Sequence, residues 1–168
     1  MIMSTLGLDN IAVAFALGPL QLGSRRTLQL GLAFGLAEAG MMMLGSAFGP
    51  GWLPAVTTTE MARAGVLATL GVAVLGLVWI KTRPADFVAN TWTLTGLALL
   101  LGVDNLVAGA APELAGVSLL QIVANGALVG ALATATCALG DAAFRPARRW
   151  GAVASGMMLL GLATAGIS

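Results

Sequence analysis

At 168 residues, 58% hydrophobic and 9% charged, with a net charge of +1 and a mean hydropathy of +0.95, the chain is far from soluble composition. Charged residues make up about a quarter of an ordinary soluble domain, so that class is excluded, and the lack of a basic cluster or aromatic platform excludes a nucleic-acid binder. Histidine is absent and Cys137 is the single cysteine, which leaves no imidazole site, no intramolecular disulfide and no thiol relay.

The long apolar runs predict six membrane spans. The first covers about Met1 to Gly18 and stops at Gly18-Pro19; its apolar start reads as a span and not as a cleaved leader. Eight residues precede Asp9, few for a hydrocarbon core of about 30 Å. This helix is therefore expected to be tilted or broken, or the N-terminus to be shorter than the natural one. Arg25-Arg26 fall in the next loop, and the second span, Thr27 to Phe48, carries Glu38 near its middle. Gly49-Pro50-Gly51-Trp52-Leu53-Pro54 breaks the helix before a Thr-rich loop to Glu60. The third span is Met61 to Ile80, closed by Lys81, Arg83 and Pro84, with Trp79 and Trp92 at interfacial positions.

The fourth span runs from about Phe87 to Ala111, holds Asp104-Asn105 and ends at Pro112-Glu113. The fifth, about Val117 to Gly140, contains Gln121 and Asn125 and stops at Asp141. A loop with Arg145, Pro146, Arg148 and Arg149 leads to the sixth, Trp150 to Ile167. Connections one, three and five hold Arg25, Arg26, Lys81, Arg83, Arg145, Arg148 and Arg149, against Arg63 alone in connections two and four. That asymmetry puts the odd loops on the cytoplasmic side and both termini outside.

One stretch occurs twice. Leu6-Gly7-Leu8-Asp9-Asn10-Ile11 returns as Leu101-Gly102-Val103-Asp104-Asn105-Leu106, an offset of 95, and residues 6–45 align with 101–140 without a gap. Further matches are Ala16/Ala111, Gly31/Gly126, Gly35/Gly130, Leu44/Leu139 and Gly45/Gly140. The fold expected is an all-α membrane protein, a single transmembrane domain over residues 1–168. Repeat one covers 1–83 and repeat two 87–168. Three spans per unit is an odd number, so the second unit must lie inverted relative to the first, a recurring transporter design with its site at the midplane.

An acidic residue at mid-membrane costs about 2.5–3.5 kcal/mol on insertion scales, and here it recurs in matching places. Asp9, Asn10, Asp104 and Asn105 offer oxygen acceptors from two helices, and Glu38 adds a third carboxylate. No Lys or Arg lies deep in a span to neutralise them, so a cation is the natural partner. Oxygen ligands without His or Cys suit Mg, Ca or Mn. Three carboxylates exceed a divalent charge by one, which gives a basis for exchange against a proton or a second cation. Each of these residues also has a plainer role open to it. Glu38, whose repeat counterpart is Ala133, serves as helix-packing glue on that view. Gln121 and Asn125, one turn apart, either complete a coordination shell or water path, or bond between helices. Met41 and Met42, at i+3 and i+4 from Glu38, either pack or add a thioether, which would favour a transition metal. Glu113 and Asp141, at helix ends, are expected to be solvated.

With these residues placed, the chain resembles the MntP family of manganese efflux pumps, within the wider two-repeat exporter group that includes LysE. The likeness rests on Leu8-Asp9-Asn10-Ile11-Ala12-Val13-Ala14, on Gly31-Leu32-Ala33-Phe34-Gly35-Leu36-Ala37-Glu38, and on Leu101-Gly102-Val103-Asp104-Asn105-Leu106-Val107-Ala108-Gly109. The resemblance implies export of Mn²⁺ through Asp9, Glu38 and Asp104, by alternating access, with proton exchange as the coupling. It implies a multi-pass protein of a bacterial-type plasma (inner) membrane, with metal and protons as partners, no permanently bound cofactor, and a homodimer as one assembly open to it. The chain departs from the family in having Asn10 and Asn105 where Ala often follows each Asp, and in a shorter leading segment. Its Asp-Asn pairs are similar to those of the TerC family. The alternatives carried are an exporter of Fe²⁺, Cd²⁺ or Ca²⁺ and a TerC-like metal-associated membrane partner without transport. An enzyme is not expected: an intramembrane aspartyl protease would need Tyr-Asp and Gly-x-Gly-Asp, and the chain has no Tyr.

Overall fold

The computed structural model describes residues 8–48, 68–69, 71–72, 75–76, 90–110 and 117–165, with the side chains at 8, 9, 104, 107, 147–149 and 165 outside that description. Every regular element among these residues is helical: α1 (Leu8–Leu17), α2 (Ser24–Phe48), α3 (Thr91–Leu101), α4 (Val103–Ala110), α5 (Leu119–Phe144) and α6 (Gly151–Ala165). Short 3₁₀ turns at Gly18–Leu20 and Arg145–Trp150 follow α1 and α5. Of the third expected span, the described positions 68, 69, 71, 72, 75 and 76 are helical, and Gly71 and Leu75 meet Gly156 of α6. The remainder of that span, the loop from Gly49 to Glu60, Arg63, Trp79, Lys81, Arg83, Pro112 and Glu113 lie outside the described residues.

The helix ends have local causes. Pro19 supplies no N–H, and the chain leaves α1 through the 3₁₀ turn that it occupies. The chain then passes through Gln21 and Gly23, both at positive φ, and enters α2 at Ser24, one turn before the expected Thr27. Arg25 and Arg26 therefore sit in the first turn of α2 and not in a loop. Asn90 caps α3, its side chain accepting from Trp92 N at 3.0 Å. Ser118 and Gln121 form a reciprocal capping box at the head of α5. At its far end α5 runs past Gly140 to Phe144, with Asp141 paired to Arg145 across one turn at 3.4 Å, and passes into the 3₁₀ turn at Pro146, which has no N–H to continue the α-helical ladder.

The expected continuous fourth span is two helices. Gly102 takes φ −84° and ψ −1°, its N–H reaches Ala98 O and Leu100 O, and the amides of Asn105 and Leu106 both return to Gly102 O. The ladder is thereby reset one residue before Val103. A Cβ at Gly102 would lie 3.1 Å from Met41 Cγ, so this break is also a point of close contact with α2.

The apolar core joins Val13 and Leu17 of α1, Leu30 and Phe34 of α2, Leu94 and Leu101 of α3, Ala133 of α5 and Leu159 of α6. Its axis is the crossing of α2 and α5, the largest interface between described helices. A Cβ on Gly35 would lie 2.5 Å from Gly126 O, and one on Gly130 would lie 2.7 Å from Gly31 O. Gly45 and Gly109 bring α2 against α4 in the same way, and Gly18 and Gly140 bring α5 against the end of α1. Backbone meets backbone at each point, the geometry that small residues permit between helices in lipid.

Among the described residues two helices, Ser24–Phe48 and Leu119–Phe144, are long and apolar enough to cross a membrane. The 25 residues of α2 span ~37 Å at about 1.5 Å per residue, more than a hydrocarbon core of about 30 Å. Gly35→Ala should lower the unfolding midpoint of the purified chain by several degrees, an overpacking cost of about 1–3 kcal/mol. Gly40→Ala is the control, because a Cβ there meets nothing within 4 Å, and its midpoint should not fall. Equal midpoints for the two variants would refute the tight crossing.

Candidate functional site

Four helices each send one polar side chain to a common point. Glu38 of α2 is 1% exposed, and its carboxylate accepts three carboxamide N–H groups. Asn10 Nδ2 of α1 donates to Oε2 at 2.9 Å and Asn105 Nδ2 of α4 donates to the same oxygen at 2.7 Å. Asn125 Nδ2 of α5 donates to Oε1 at 3.3 Å. Asn10 and Asn105 are as buried as Glu38, at 1% and 0% exposure, whereas Asn125 is half-buried.

Sequence and packing both lead to this convergence. Asn10 and Asn105 hold the same place in the two copies of the repeated stretch, on helices that pack against α5 and α2 respectively. The glycine contacts at 45 and 109 pull α4 onto α2, which brings Asn105 within reach of Glu38. Asn125 precedes Gly126, the residue whose backbone lies against Gly35, three positions from Glu38.

An ionised carboxylate only accepts hydrogen bonds, with about four lone-pair sites; the three amides fill most of them, and charge-assisted bonds of this kind are the stronger sort. Each amide that turns its NH₂ to Glu38 turns its oxygen elsewhere. Asn10 Oδ1 is buried with no hydrogen-bond partner among the described residues. A buried acceptor left in that state costs about 1–3 kcal/mol.

The sequence-predicted residues divide accordingly. Asn10, Glu38 and Asn105 are brought together, and Asn125, expected only at the margin, joins them. Asp9 and Asp104 are placed by backbone, each one residue before a hub asparagine, on α1 and α4; their carboxylates lie outside the described side chains. Among the described residues no three His, Cys, Asp or Glu form a group that could hold a metal. Gln121 is not at the hub. It is exposed, and its Oε1 accepts from Ser118 N at 2.9 Å and Ser118 Oγ at 3.0 Å, closing the cap. Ser118-Leu119-Leu120-Gln121 has the capping-box spacing, so the sequence did carry a signal for this. Met42 is fully buried, with its backbone against Gly109, and half-buried Met41 lies against Gly102. Both contribute to the α2–α4 packing. Cys137 is a buried free thiol 3.9 Å from Thr27 Oγ1. Asp141 pairs with the exposed Arg145, a surface contact worth about 0–1 kcal/mol.

Comparison with protein-family models, curated proteins and solved structures finds no match.

Glu38→Leu should destabilise the chain strongly, since it strips the acceptor from three amide donors at about 1–3 kcal/mol for each buried group left unpaired. Glu38→Gln keeps one acceptor oxygen and should fall between Glu38→Leu and wild type in thermal or denaturant unfolding. A Glu38→Leu chain as stable as wild type would remove the hub from any structural role.

Proposed function

We propose that this protein is a small secondary transporter that exports a divalent metal cation, with Mn²⁺ as the cargo, by alternating access around the Glu38 hub. The observation that carries the reading is a carboxyl group fully buried among carboxamides from three other helices, in a chain whose long helices are apolar. On this reading the site comprises Asp9, Asn10, Glu38, Asp104 and Asn105, with Asn125 beside them. All are oxygen donors, the set that hard divalent cations take.

The distribution of polarity supports a membrane setting. Leu28, Leu32, Leu36 and Phe48 of α2 and Leu120, Leu128 and Leu139 of α5 are more than half exposed, while Glu38, Asn10 and Asn105 are buried. Apolar outside with polar within is the reverse of a soluble domain and is suited to a lipid surround. The full proposal is six spans in a bacterial-type inner membrane, with the basic loops cytoplasmic and both termini outside. Two of those loops have neighbouring parts at one end of the bundle: Gln21 and Gly23 share a cleft with Asp141 and Arg145.

Two inverted repeats are likewise proposed, and the packing supports them. Shifting the contact of Gly31 with Gly130 by the 95-residue offset turns it into the contact of Gly126 with Gly35, which is also present. Gly140 against Phe15 of α1 becomes Gly45 against Ala110 of α4, again present. Contacts that exchange in this way are what a two-fold relation between halves produces. The break at Gly102, beside the hub, places irregular backbone where discontinuous helices of carriers line their sites.

The test is metal efflux from cells or proteoliposomes loaded with Mn²⁺. Asp104→Ala and Asp9→Ala should abolish it, while Arg145→Ala, which removes only the surface pair, should not. Wild-type protein should also be stabilised against heat by Mn²⁺, by about 2.7 kcal/mol at a hundredfold excess over Kd, and Asp9→Ala should lose that stabilisation. Unchanged efflux in Asp104→Ala would overturn the site. Stabilisation without efflux would instead favour a metal-associated partner protein.

A further inference from the structure

We infer that Glu38 is not itself a ligand of the cation but a positioning residue, and that the metal is held by the amide oxygens Asn10 Oδ1 and Asn105 Oδ1. This rests on the cation-binding reading above and changes which atoms do the binding.

The argument is one of occupied lone pairs and forced orientation. Oε2 of Glu38 already takes two N–H bonds, at 2.9 and 2.7 Å, and Oε1 takes a third at 3.3 Å. A cation approaching Oε2 would have to displace an amide donor, and at Oε1 it would meet the positive N–H end of the Asn125 amide. The oxygens of the same amides have the opposite character. A carboxamide is planar, so fixing its NH₂ on Glu38 fixes the direction of its carbonyl. Asn10 Oδ1 is buried with no hydrogen-bond partner among the described residues, and Asn105 Oδ1 is buried as well. The two come from repeat-related positions and are tied to one carboxylate oxygen, which makes them a matched pair on two helices.

Glu38 then acts through the amides. Its negative charge draws on the N–H groups and polarises the chain of bonds, so that the carbonyl oxygens become stronger acceptors. It also supplies charge close to the metal without entering the coordination shell. This is the relation of an outer-shell carboxylate to a ligand that it orients. The ligand chemistry becomes paired neutral carbonyl oxygens backed by carboxylates, which favours a hard, oxygen-seeking divalent cation.

The experiment uses the full chain purified in detergent and measures Mn²⁺ and Cd²⁺ affinities by calorimetry. A thiol placed at a ligand position recruits the softer metal, so Asn10→Cys and Asn105→Cys should each raise the Cd²⁺-over-Mn²⁺ affinity ratio, on the order of tenfold. Glu38→Cys should not raise the ratio, and Glu38→Gln should weaken Mn²⁺ binding about 10–100-fold, the usual effect of losing an outer-shell partner. A rise in the ratio at position 38 with none at 10 or 105 would overturn the inference and leave the export reading intact. Failure of the wild-type chain to bind either metal would overturn both. Should the variants not fold, wild-type protein settles the matter through pulsed electron–nuclear double resonance of bound Mn²⁺. Carbon-13 in asparagine side-chain carbonyls should couple to the metal and carbon-13 in glutamate carboxyls should not; glutamate coupling alone would refute the assignment.

Discussion

Three carboxamide groups on one buried carboxylate hold this bundle in register. Apolar helix packing is tolerant of rotation and sliding, because one leucine replaces another at a similar cost. The bonds from Asn10, Asn105 and Asn125 to Glu38 are not tolerant. Each requires a particular rotation of its helix and a distance good to a few tenths of an ångström. Since the donors lie on α1, α4 and α5 and the acceptor on α2, four helices are fixed relative to one another at a single level. In a low-dielectric surround these bonds are stronger than in water, and the cost of losing one is correspondingly greater.

The hub is possible only because glycine lets the helices come together. Where helices pack in lipid there is no hydrophobic force of the kind that assembles a soluble core; close packing and hydrogen bonds take its place. Gly31 and Gly35 on α2 meet Gly126 and Gly130 on α5 backbone to backbone, and Gly45 and Gly109 do the same for α2 and α4. Asn side chains are short, with a reach of little more than two bonds beyond Cβ. Helices held apart by larger residues would leave those amides out of range of Glu38. Packing and polarity are thus one design: the glycines set the separation and the asparagines use it.

Much of this was legible in the amino-acid order, and the parts that were not have physical reasons. Apolar runs and the Gly-Pro break located α2, α5, α6 and the end of α1 to within about a turn, because breakers and hydrophobic length act locally. The division of the fourth span at Gly102 was hidden, since one glycine among 23 gives no sign of which will interrupt a helix. What marks it is tertiary, the close approach of Gly102 to Met41. Asn10 and Asn105 were singled out by their repetition, but an asparagine is both donor and acceptor, and sequence does not say which end faces the neighbour. That their nitrogens face Glu38 is decided by the packing of three helices, which the order of residues does not display. Gln121 was grouped with Asn125 by helical spacing alone, although Ser118 three residues earlier gave it a nearer and local partner.

On the proposed relation between two halves, the hub also accounts for why their sequences differ where they matter most. Glu38 corresponds to Ala133 and Asn125 to Leu30 under the 95-residue offset, and Ala133 and Leu30 are both fully buried. A single oxygen of Glu38 serves Asn10 and Asn105 together, so the acceptor lies close to where a two-fold axis relating those residues would pass. A point near such an axis has room for one carboxylate. On the proposed two-fold relation, glutamate at 133 as well would aim a second negative group at the same two amides, and like charges a few ångströms apart do not both remain ionised. On that relation one half gives the acid and the other a small residue. The same holds for Asn125, which meets the second oxygen of a carboxylate that has no counterpart. Duplication can supply the pair of asparagines, but the group that orders them has to come from one side alone.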